Sequence, residues 1–234
     1  MQFTGVTSIV DDVGTFNGGS FRISHRDSNT ILTIQLGKLC PLTAKPGAMV
    51  SMSPTMTVEG VFKFEVMKLL SRAKMSHTTF TGPGEVLLAP SFLGDITTIR
   101  LSGTETRTWR VAHDAFLAAT RGVIKEYKMQ KLLQGLFSDE GMFTYQLSGV
   151  GLLFITAFGA IVRKDLQEGE KYIVDTGHLV AWDCVYDVGR VASGGYVSDL
   201  GAGEGLVCRF TGPGTVFLQT RNPRHFAKWV AGHR

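Results

Sequence analysis

The residues best suited to chemistry in this sequence are six histidines, three cysteines and a few clustered carboxylates. The histidines form no HxH or HExxH pair, and none stands at ligand spacing from a cysteine, so the sequence contains no local metal motif. His113 and Asp114 are adjacent, but the GxSxG motif of a serine hydrolase is missing. We therefore predict no catalytic residue, no metal site and no cofactor, and a protein that is not an enzyme.

Three carboxylates lie close together at Glu168, Glu170 and Asp175. Paired carboxylates are common in general acid–base catalysis. The surrounding residues, LQEGEKYIVDTG, are more typical of a solvated turn followed by an edge strand, and we favour that interpretation.

The pentapeptide FTGPG occurs at 80–84 and again at 210–214, each time before an apolar run. A phosphate-binding loop would require GxxxxGK[ST] before a helix, and no lysine follows these glycines. Gly-Pro-Gly instead predicts a sharp turn, because proline fixes φ and glycine permits positive φ. With the degenerate copy LSGVG at 147–151, the predicted structural turn glycines are Gly82, Gly84, Gly149, Gly151, Gly212 and Gly214.

The three turns follow each other at offsets of 67 and 63 residues, and the same offsets separate Val50, Leu117 and Val180 in apolar runs upstream. A constant offset at two places indicates an internal repeat. The sequence thus predicts a single all-β domain over 1–234 with a pseudo-threefold axis. Its repeat units have the approximate bounds 20–85, 86–152 and 153–221.

Strand periodicity is clearest in TILTIQL, where Leu32, Ile34 and Leu36 share one face. The runs EVLLAP and TVFLQT after the turns also have strand length and composition. Lys, Met and Leu clusters predict a few short helices, at 65–74 and 125–137.

Residues 141–162 contain no charged side chain, and this uncharged run is long enough for a membrane span. The other two copies of this segment carry proline or charge, so we favour two buried strands joined by a turn at 148–151. Membrane contact without spanning remains a predicted partner interaction.

The net charge is +4, and basic residues cluster in the C-terminal tail. Arg221, Arg224 and Lys228 are candidates for a basic rim. Nucleic-acid binding would require more clustered charge, so a solvated terminus is the favoured interpretation.

Cys40, Cys184 and Cys208 are scattered, which favours a reducing compartment. The N-terminus resembles no secretory signal, and Asp11 and Asp12 are atypical of a transit peptide. We predict a cytoplasmic protein, with a mitochondrial location as the alternative if a presequence precedes this chain.

Three segments carry a resemblance to a known family: FTGPGEVLLAPS (80–91), EGEKYIVDTGHLVAW (168–182) and GEGLVCRFTGPGTVFLQTR (203–221). From about residue 16 to 221 the chain resembles the family named for altered inheritance of mitochondria, number twenty-four, whose biochemical activity is unknown. That family is similar in fold to the tryptophan RNA-binding attenuation protein. The resemblance implies β-sandwich units of double-stranded β-helix character, arranged in threes and often oligomeric. Fungal mitochondrial members are associated with the inner membrane and its architecture.

The RNA and tryptophan ligands of the attenuation protein are not transferred, because their binding residues have no match here. Our leading hypothesis is a non-enzymatic, self-associating scaffold or binding protein, linked to mitochondrial or membrane organisation. Apolar residues exceed what three thin sandwiches need, which favours a dimer or trimer. The alternative is a small-molecule or nucleic-acid-binding protein that uses a pocket or the basic rim between units.

Overall fold

The computed structural model describes residues 6–8, 13–61, 77–104, 107–130, 142–190 and 206–232. These residues are predominantly β, which confirms the all-β prediction. The strands are β1 Val6–Ser8, β2 Val13–Phe16, β3 Gly19–Ser24, β4 Ile31–Leu36, β5 Pro41–Ala44, β6 Met49–Met52, β7 Thr57–Val61, β8 His77–Thr81, β9 Gly84–Leu88, β10 Ile96–Ser102, β11 Trp109–Ala112, β12 Phe116–Thr120, β13 Val123–Gln130, β14 Met142–Thr156, β15 Ile161–Leu166, β16 Lys171–Asp175, β17 Leu179–Trp182, β18 Val185–Arg190, β19 Leu206–Thr211 and β20 Gly214–Gln219. Two single-turn 3-10 helices at His113–Ala115 and Thr176–His178 precede β12 and β17, and the helix α1 covers Pro223–Gly232.

The strands fall into three consecutive segments, with β4–β9 in the first, β10–β14 in the second and β15–β20 in the third. All pairings within them are antiparallel. In the first segment β9 lies between β4 and β6, and β8 lies between β5 and β7. In the third, β20 lies between β15 and β17, and β19 lies between β16 and β18.

The second segment has one long central strand, β14. The first half of β14 lies between β11 and β13, and its second half lies between β10 and β12. Two further pairings join the segments: β5 pairs with β12, and β11 pairs with β17. The N-terminal strands extend the outer edges, since β3 pairs with β4 and β1 with β15.

The core consists of three apolar clusters that follow the three segments. The first includes Leu117 and Phe154 of the second segment, and the second includes Val180 and Phe217 of the third. The third cluster contains only residues of its own segment, among them Trp182. The alternation predicted for β4 is confirmed, because its even-numbered residues Leu32, Ile34 and Leu36 are all buried.

The helix predicted at 125–137 is wrong over the described part, because Val123–Gln130 is strand β13. This strand pairs with β14 in continuous register from Val123 opposite Gly149 to Gln130 opposite Met142. Pairing with a long neighbouring strand outweighs the weak helix preference of its Lys and Met residues. Residues 131–137 and the other predicted helix, at 65–74, lie outside the described residues.

The prediction of two strands joined by a turn at 148–151 is also wrong, because β14 is continuous from Met142 to Thr156. At the corresponding points of the FTGPG turns stand Pro83 and Pro213, which have no backbone N–H to donate. Val150 stands there in β14, and its N–H donates to the carbonyl oxygen of Gly122 at 3.1 Å. The hydrogen-bonded ladder can therefore continue through the glycines.

Candidate functional site

Four of the predicted turn glycines, Gly82, Gly84, Gly212 and Gly214, lie where one strand passes into the next, whereas Gly149 and Gly151 lie within the continuous strand β14. Gly82 and Gly212 follow β8 and β19 directly. Gly84, Gly151 and Gly214 have φ angles of +147°, +152° and +151°. Residues with a side chain rarely adopt such angles, so the backbone conformation at these three positions requires glycine.

Space also restricts two of these positions. A Cβ atom on Gly82 would overlap the carbonyl oxygen of Gly37, and one on Gly212 would overlap the carbonyl oxygen of Gln167. The neighbouring backbone occupies the side of each glycine where a side chain would start. Each turn is therefore packed against a second turn of the same segment.

The β6 edge, defined here as Met49–Met52, is an outer strand with exposed apolar surface. Within the described residues β6 pairs with β9 alone, and all four of its residues are exposed. The side chain of Val50 is 56% exposed. At the offsets of 67 and 63 seen in the sequence, Leu117 of β12 and Val180 of β17 are both 0% exposed.

The β16 edge, defined as Lys171–Asp175, is the outer strand of a three-stranded sheet. In the described part of the chain it pairs with β19 alone. Val174 points into the third core cluster, whereas Ile173 is 60% exposed. An exposed β strand with apolar residues is a ready template for pairing with another strand.

The strands that join the segments have different surroundings from these two edges. The strand β12 lies between β14 and β5, and β17 lies between β20 and β11. All the residues of both strands are buried. The strands β12 and β17 are buried and have a neighbouring strand on both sides, whereas β6 is exposed and has, among the described residues, a neighbour on one side.

The three residues of the predicted basic rim lie together at the C-terminal end of the fold. Arg224 and Lys228 are one turn apart on α1, and Arg221 precedes the helix; all three are exposed. Asn222 caps the helix, because its Oδ1 accepts hydrogen bonds from the backbone N–H groups of Arg224 at 2.9 Å and His225 at 3.4 Å.

Arg224 also lines a cleft of about 220 Å³ at the junction of the second and third segments. His113 Nδ1 lies 3.3 Å from Asp114 Oδ1, and Lys45 Nζ lies 3.7 Å from the same oxygen. The hydrogen bond with His113 lowers the pKa of Asp114, and the positive charge of Lys45 acts in the same direction. Polar groups in the cleft wall are supplied by His113, Asp114, Thr156, Gly177, Gln219 and Arg224.

Two of the clustered carboxylates, Glu170 and Asp175, have partners of their own. Glu170 accepts a hydrogen bond from the backbone N–H of Gln167 at 2.8 Å and lies 2.7 Å from Lys164 Nζ. The hydrogen bond with Lys164 is the main reason that the pKa of Glu170 is lowered. Asp175 accepts from the backbone N–H of Gly177 at 2.7 Å. These contacts are those of a turn and of the N-terminal cap of the 3-10 helix at Thr176–His178.

Neither a metal cluster nor a membrane-spanning helix is found among the described residues. No group of three or more His, Cys, Asp or Glu among them could hold a metal ion. No helix in the same ranges is long and apolar enough to cross a bilayer. In the uncharged run at 141–162, the four consecutive residues from Leu152 to Ile155 are buried in the core.

Sequence patterns gave no sign of an unusual lysine in β13. Lys125 Nζ lies 4.0 Å from the ring centroid of Phe116 and 4.7 Å from that of Tyr145. Burial lowers the pKa of Lys125 to about 8. The two rings favour the charged form and act against this shift. The segment was predicted to be a helix, so its strand neighbours could not be inferred.

The helix α1 was also not predicted, although its sequence carries a recognisable signal. Asn222 followed by Pro223 is a favoured helix start. Phe226, Trp229 and Val230 then follow at the spacing that places residues on one face of a helix. The basic residues of this segment, taken alone, favour a solvated terminus and do not reveal the helix.

The fold and these surfaces define an all-β protein with strand pairing between consecutive segments, the exposed β6 and β16 edges, and a basic helix at Pro223–Gly232. The sequence profile of the mitochondrial biogenesis AIM24 family matches residues 21–221, and the chain belongs to that family. The family membership predicted from the sequence motifs is thereby confirmed.

Two further comparisons are with proteins of Streptococcus pyogenes. The chain is 30% identical over 147 residues to an uncharacterized protein of serotype M6; the match covers 62% of this chain and spans 58% of that relative. A crystal structure of an S. pyogenes protein superposes with a TM-score of 0.73 at 27% identity. The superposition covers 92% of this chain and 99% of the other.

Proposed function

We propose that this protein is a non-enzymatic scaffold whose chains self-associate by pairing the β6 edge of one copy with the β16 edge of another. The observation that carries this proposal is the exposure of Val50. It is 56% exposed, whereas Leu117 and Val180, at the same offsets in the sequence, are fully buried in strands that have a neighbouring strand on both sides. The β6 edge therefore has the composition of a strand that is paired on both sides.

The proposal rests on three equivalent β units related by a pseudo-threefold axis, with β6 of the first unit and β16 of the third left unpaired with each other among the described residues. The centre of each segment is a pair of strands or, in the second segment, the two halves of β14, and the four flanking strands add to it in the same order. The flanking pairs are β4 and β6 with β5 and β7, β10 and β12 with β11 and β13, and β15 and β17 with β16 and β18. A register shift also recurs in β6, β12 and β17, where each pairs with its central strand.

Equivalent units predict which edges should meet. The first unit pairs with the second through β5 and β12, and the second pairs with the third through β11 and β17. The same rule directs β16 of the third unit to β6 of a first unit. Ala118 faces Ala44 and Ala181 faces Val111 in the existing junctions, so Ser51 is expected opposite Val174 and Met52 opposite Ile173.

Pairing these edges would bury apolar side chains that are now half exposed. Burial of the remaining exposed part of Val50 or Ile173 would contribute about 1 kcal/mol each. The contact is head-to-tail, because it joins the β6 edge of one copy to the different β16 edge of another copy. Head-to-tail contacts close into rings when the rotation between copies permits it. We expect a dimer or a trimer.

Light scattering coupled to size exclusion tests this assembly. At micromolar concentration we expect a mass of about two or three times 25.5 kDa. Val50→Glu and Ile173→Glu place a charge in the proposed junction and should reduce the mass to that of one chain. Val58→Glu on β7 and Val185→Glu on β18 change exposed valines on outer strands without a predicted partner, and should preserve the assembly. A wild-type monomer, or equal dissociation in the control variants, would contradict the proposal.

The second candidate function is binding of a small molecule or a nucleic acid at the cleft beside the basic rim. It is favoured by Arg224, which contributes both to the rim and to the cleft wall. Asp114 in the same wall would repel a polyanion, so a small polar ligand is the better match. Retention on heparin that falls steeply with salt, and that is lost in Arg224→Ser, would favour the nucleic acid instead.

A further inference from the structure

The helix α1 lies on the outside of the β structure. No residue between Pro223 and Gly232 is buried. The helix is held at its start by the Asn222 cap and by the ring of Phe226, whose centroid lies 5.1 Å from that of Phe158. A stably attached helix whose whole length is accessible to solvent needs a reason to carry large apolar side chains.

One face of α1 is apolar and continues onto the neighbouring loop. Phe226, Trp229 and Val230 are all exposed, and the ring of Trp229 stacks on that of Phe226 with centroids 6.1 Å apart. Phe92 and Leu93 of the adjacent loop are exposed as well. Phe92 contacts Phe158, and Phe158 contacts Phe226, so the aromatic contacts are continuous from the loop to the helix.

The opposite face of α1 is basic. At 100° per residue, Arg224, His225 and Lys228 fall on one side of the helix and the aromatic residues on the other. From 205 to 234 the sequence has five Lys or Arg residues and no Asp or Glu. This stretch therefore carries more positive charge than the net +4 of the whole chain.

We propose that α1 binds the surface of anionic lipid bilayers, with its axis in the plane of the membrane. Helices that lie at this interface combine an apolar face containing Trp, Phe or Leu with a polar face rich in Lys and Arg. The aromatic residues would enter the boundary between headgroups and acyl chains, and Arg224 and Lys228 would contact the lipid phosphates. Ten residues of helix extend about 15 Å, which suits contact with one leaflet.

The charge of α1 is the reason for preferring a lipid surface to a second protein chain. A protein groove that accepted this helix would have to supply acidic residues beside an apolar channel. An anionic bilayer supplies both together, and each Lys or Arg near it contributes to binding. The inference is independent of the pairing of β6 with β16, which involves other residues.

Tryptophan fluorescence with vesicles tests the proposal directly. Trp109 and Trp182 are buried and Trp229 is 60% exposed, so a blue shift on adding vesicles reports mainly on Trp229. We expect the shift, and co-flotation of the protein, with phosphatidylcholine vesicles containing 30% phosphatidylglycerol. Vesicles of phosphatidylcholine alone should give much weaker binding.

Variants separate the two faces of the helix. Phe226→Ser and Trp229→Ser should each abolish flotation, and Lys228→Gln should weaken partition about fivefold. Val185→Ser, which removes an apolar residue elsewhere that is at least as exposed as Trp229, should leave partition unchanged. Equal binding to neutral vesicles, no binding to anionic ones, or normal flotation of Trp229→Ser would overturn the proposal. So would a loss of oligomer mass in Trp229→Ser without lipid, because α1 would then be covered by a second copy.

Discussion

Ala118 of β12 lies directly opposite Ala44 of β5, and this antiparallel contact joins two segments of the chain. Val111 of β11 faces Ala181 of β17 in the second junction. Both junctions continue a sheet from one segment into the next, so the segments share backbone hydrogen bonds as well as apolar side chains. Among the described residues, the exposed β6 and β16 edges lack the second neighbouring strand that these two junctions provide.

The proposed junction predicts a specific disulfide between chains. Directly opposed residues of an antiparallel pair have Cβ atoms close enough for cross-linking, and Met52 is expected opposite Ile173. Mixing Met52→Cys with Ile173→Cys under mild oxidation, each in a Cys40→Ser background, should give a disulfide-linked dimer on a non-reducing gel.

Two results define the limits of that cross-linking experiment. A mixture of Met52→Cys with Val185→Cys should give little product, because β18 is on the other side of the same sheet. If the double variant Met52→Cys/Ile173→Cys forms the bond only within one chain, the units close a ring intramolecularly and the proposal of assembly between chains is wrong.

Replacing Gly149 with alanine is expected to destabilise the fold strongly. Gly149 has a φ of +95°, and an added Cβ would overlap the carbonyl oxygen of Gly122 in the turn between β12 and β13. The free energy of unfolding should fall by about 3 kcal/mol or more, from backbone strain and displacement of that turn.

Gly47→Ala is the matched control for Gly149→Ala in urea denaturation. Gly47 also has a positive φ, +80°, but an added Cβ would have no atom within 4 Å. Only the backbone term remains there, and the cost should be about 1 kcal/mol. Equal losses in the two variants would show that the contact with Gly122 has no energetic consequence.

The buried cysteines should be unreactive in the native protein. Burial raises the pKa of both Cys184 and Cys208 to about 12, so very little thiolate is present at pH 8. Titration with a chromogenic disulfide reagent should detect reaction at the half-buried Cys40 first, and all three thiols only in denaturant. Fast labelling of Cys208 in the native state, identified by peptide mapping, would contradict this assignment.

Lys125 predicts a pH dependence of stability. Its pKa is lowered by burial to about 8 in the folded protein, against 10.5 for an unperturbed lysine. Between these values the unfolded chain binds more protons than the folded one, so this residue makes stability rise with pH from about 8 to 10.5. Below pH 8 the charged form is buried at a cost, and Lys125→Met should raise the free energy of unfolding there.

Urea denaturation at pH 7, 8, 9 and 10 measures this effect. The difference in unfolding free energy between wild type and Lys125→Met should shrink as the pH increases. Lys171→Met, which alters an exposed lysine at the start of β16, should show no such trend. If Lys125→Met is less stable than wild type at pH 7, the contacts of the cation with Phe116 and Tyr145 outweigh its desolvation.

Local sequence determined those features that depend on a few neighbouring residues. The alternation in β4 fixes which face is buried, since side chains of a strand alternate between its two faces. The FTGPG pentapeptides specify turns because few other residues can adopt the backbone angles found at Gly84 and Gly214. The same motifs identified the family, since their combination extends along most of the chain.

Tertiary structure decided the features that depend on which strand lies alongside another. Val123–Gln130 became a strand because β14 pairs along its whole length, and Val50 is exposed while Leu117 is buried because only β12 has a neighbour on both sides. Strand pairing links residues far apart in sequence, and no local pattern encodes the presence of the partner. Whether α1 is buried or exposed likewise depends on which parts of the folded chain lie beside it.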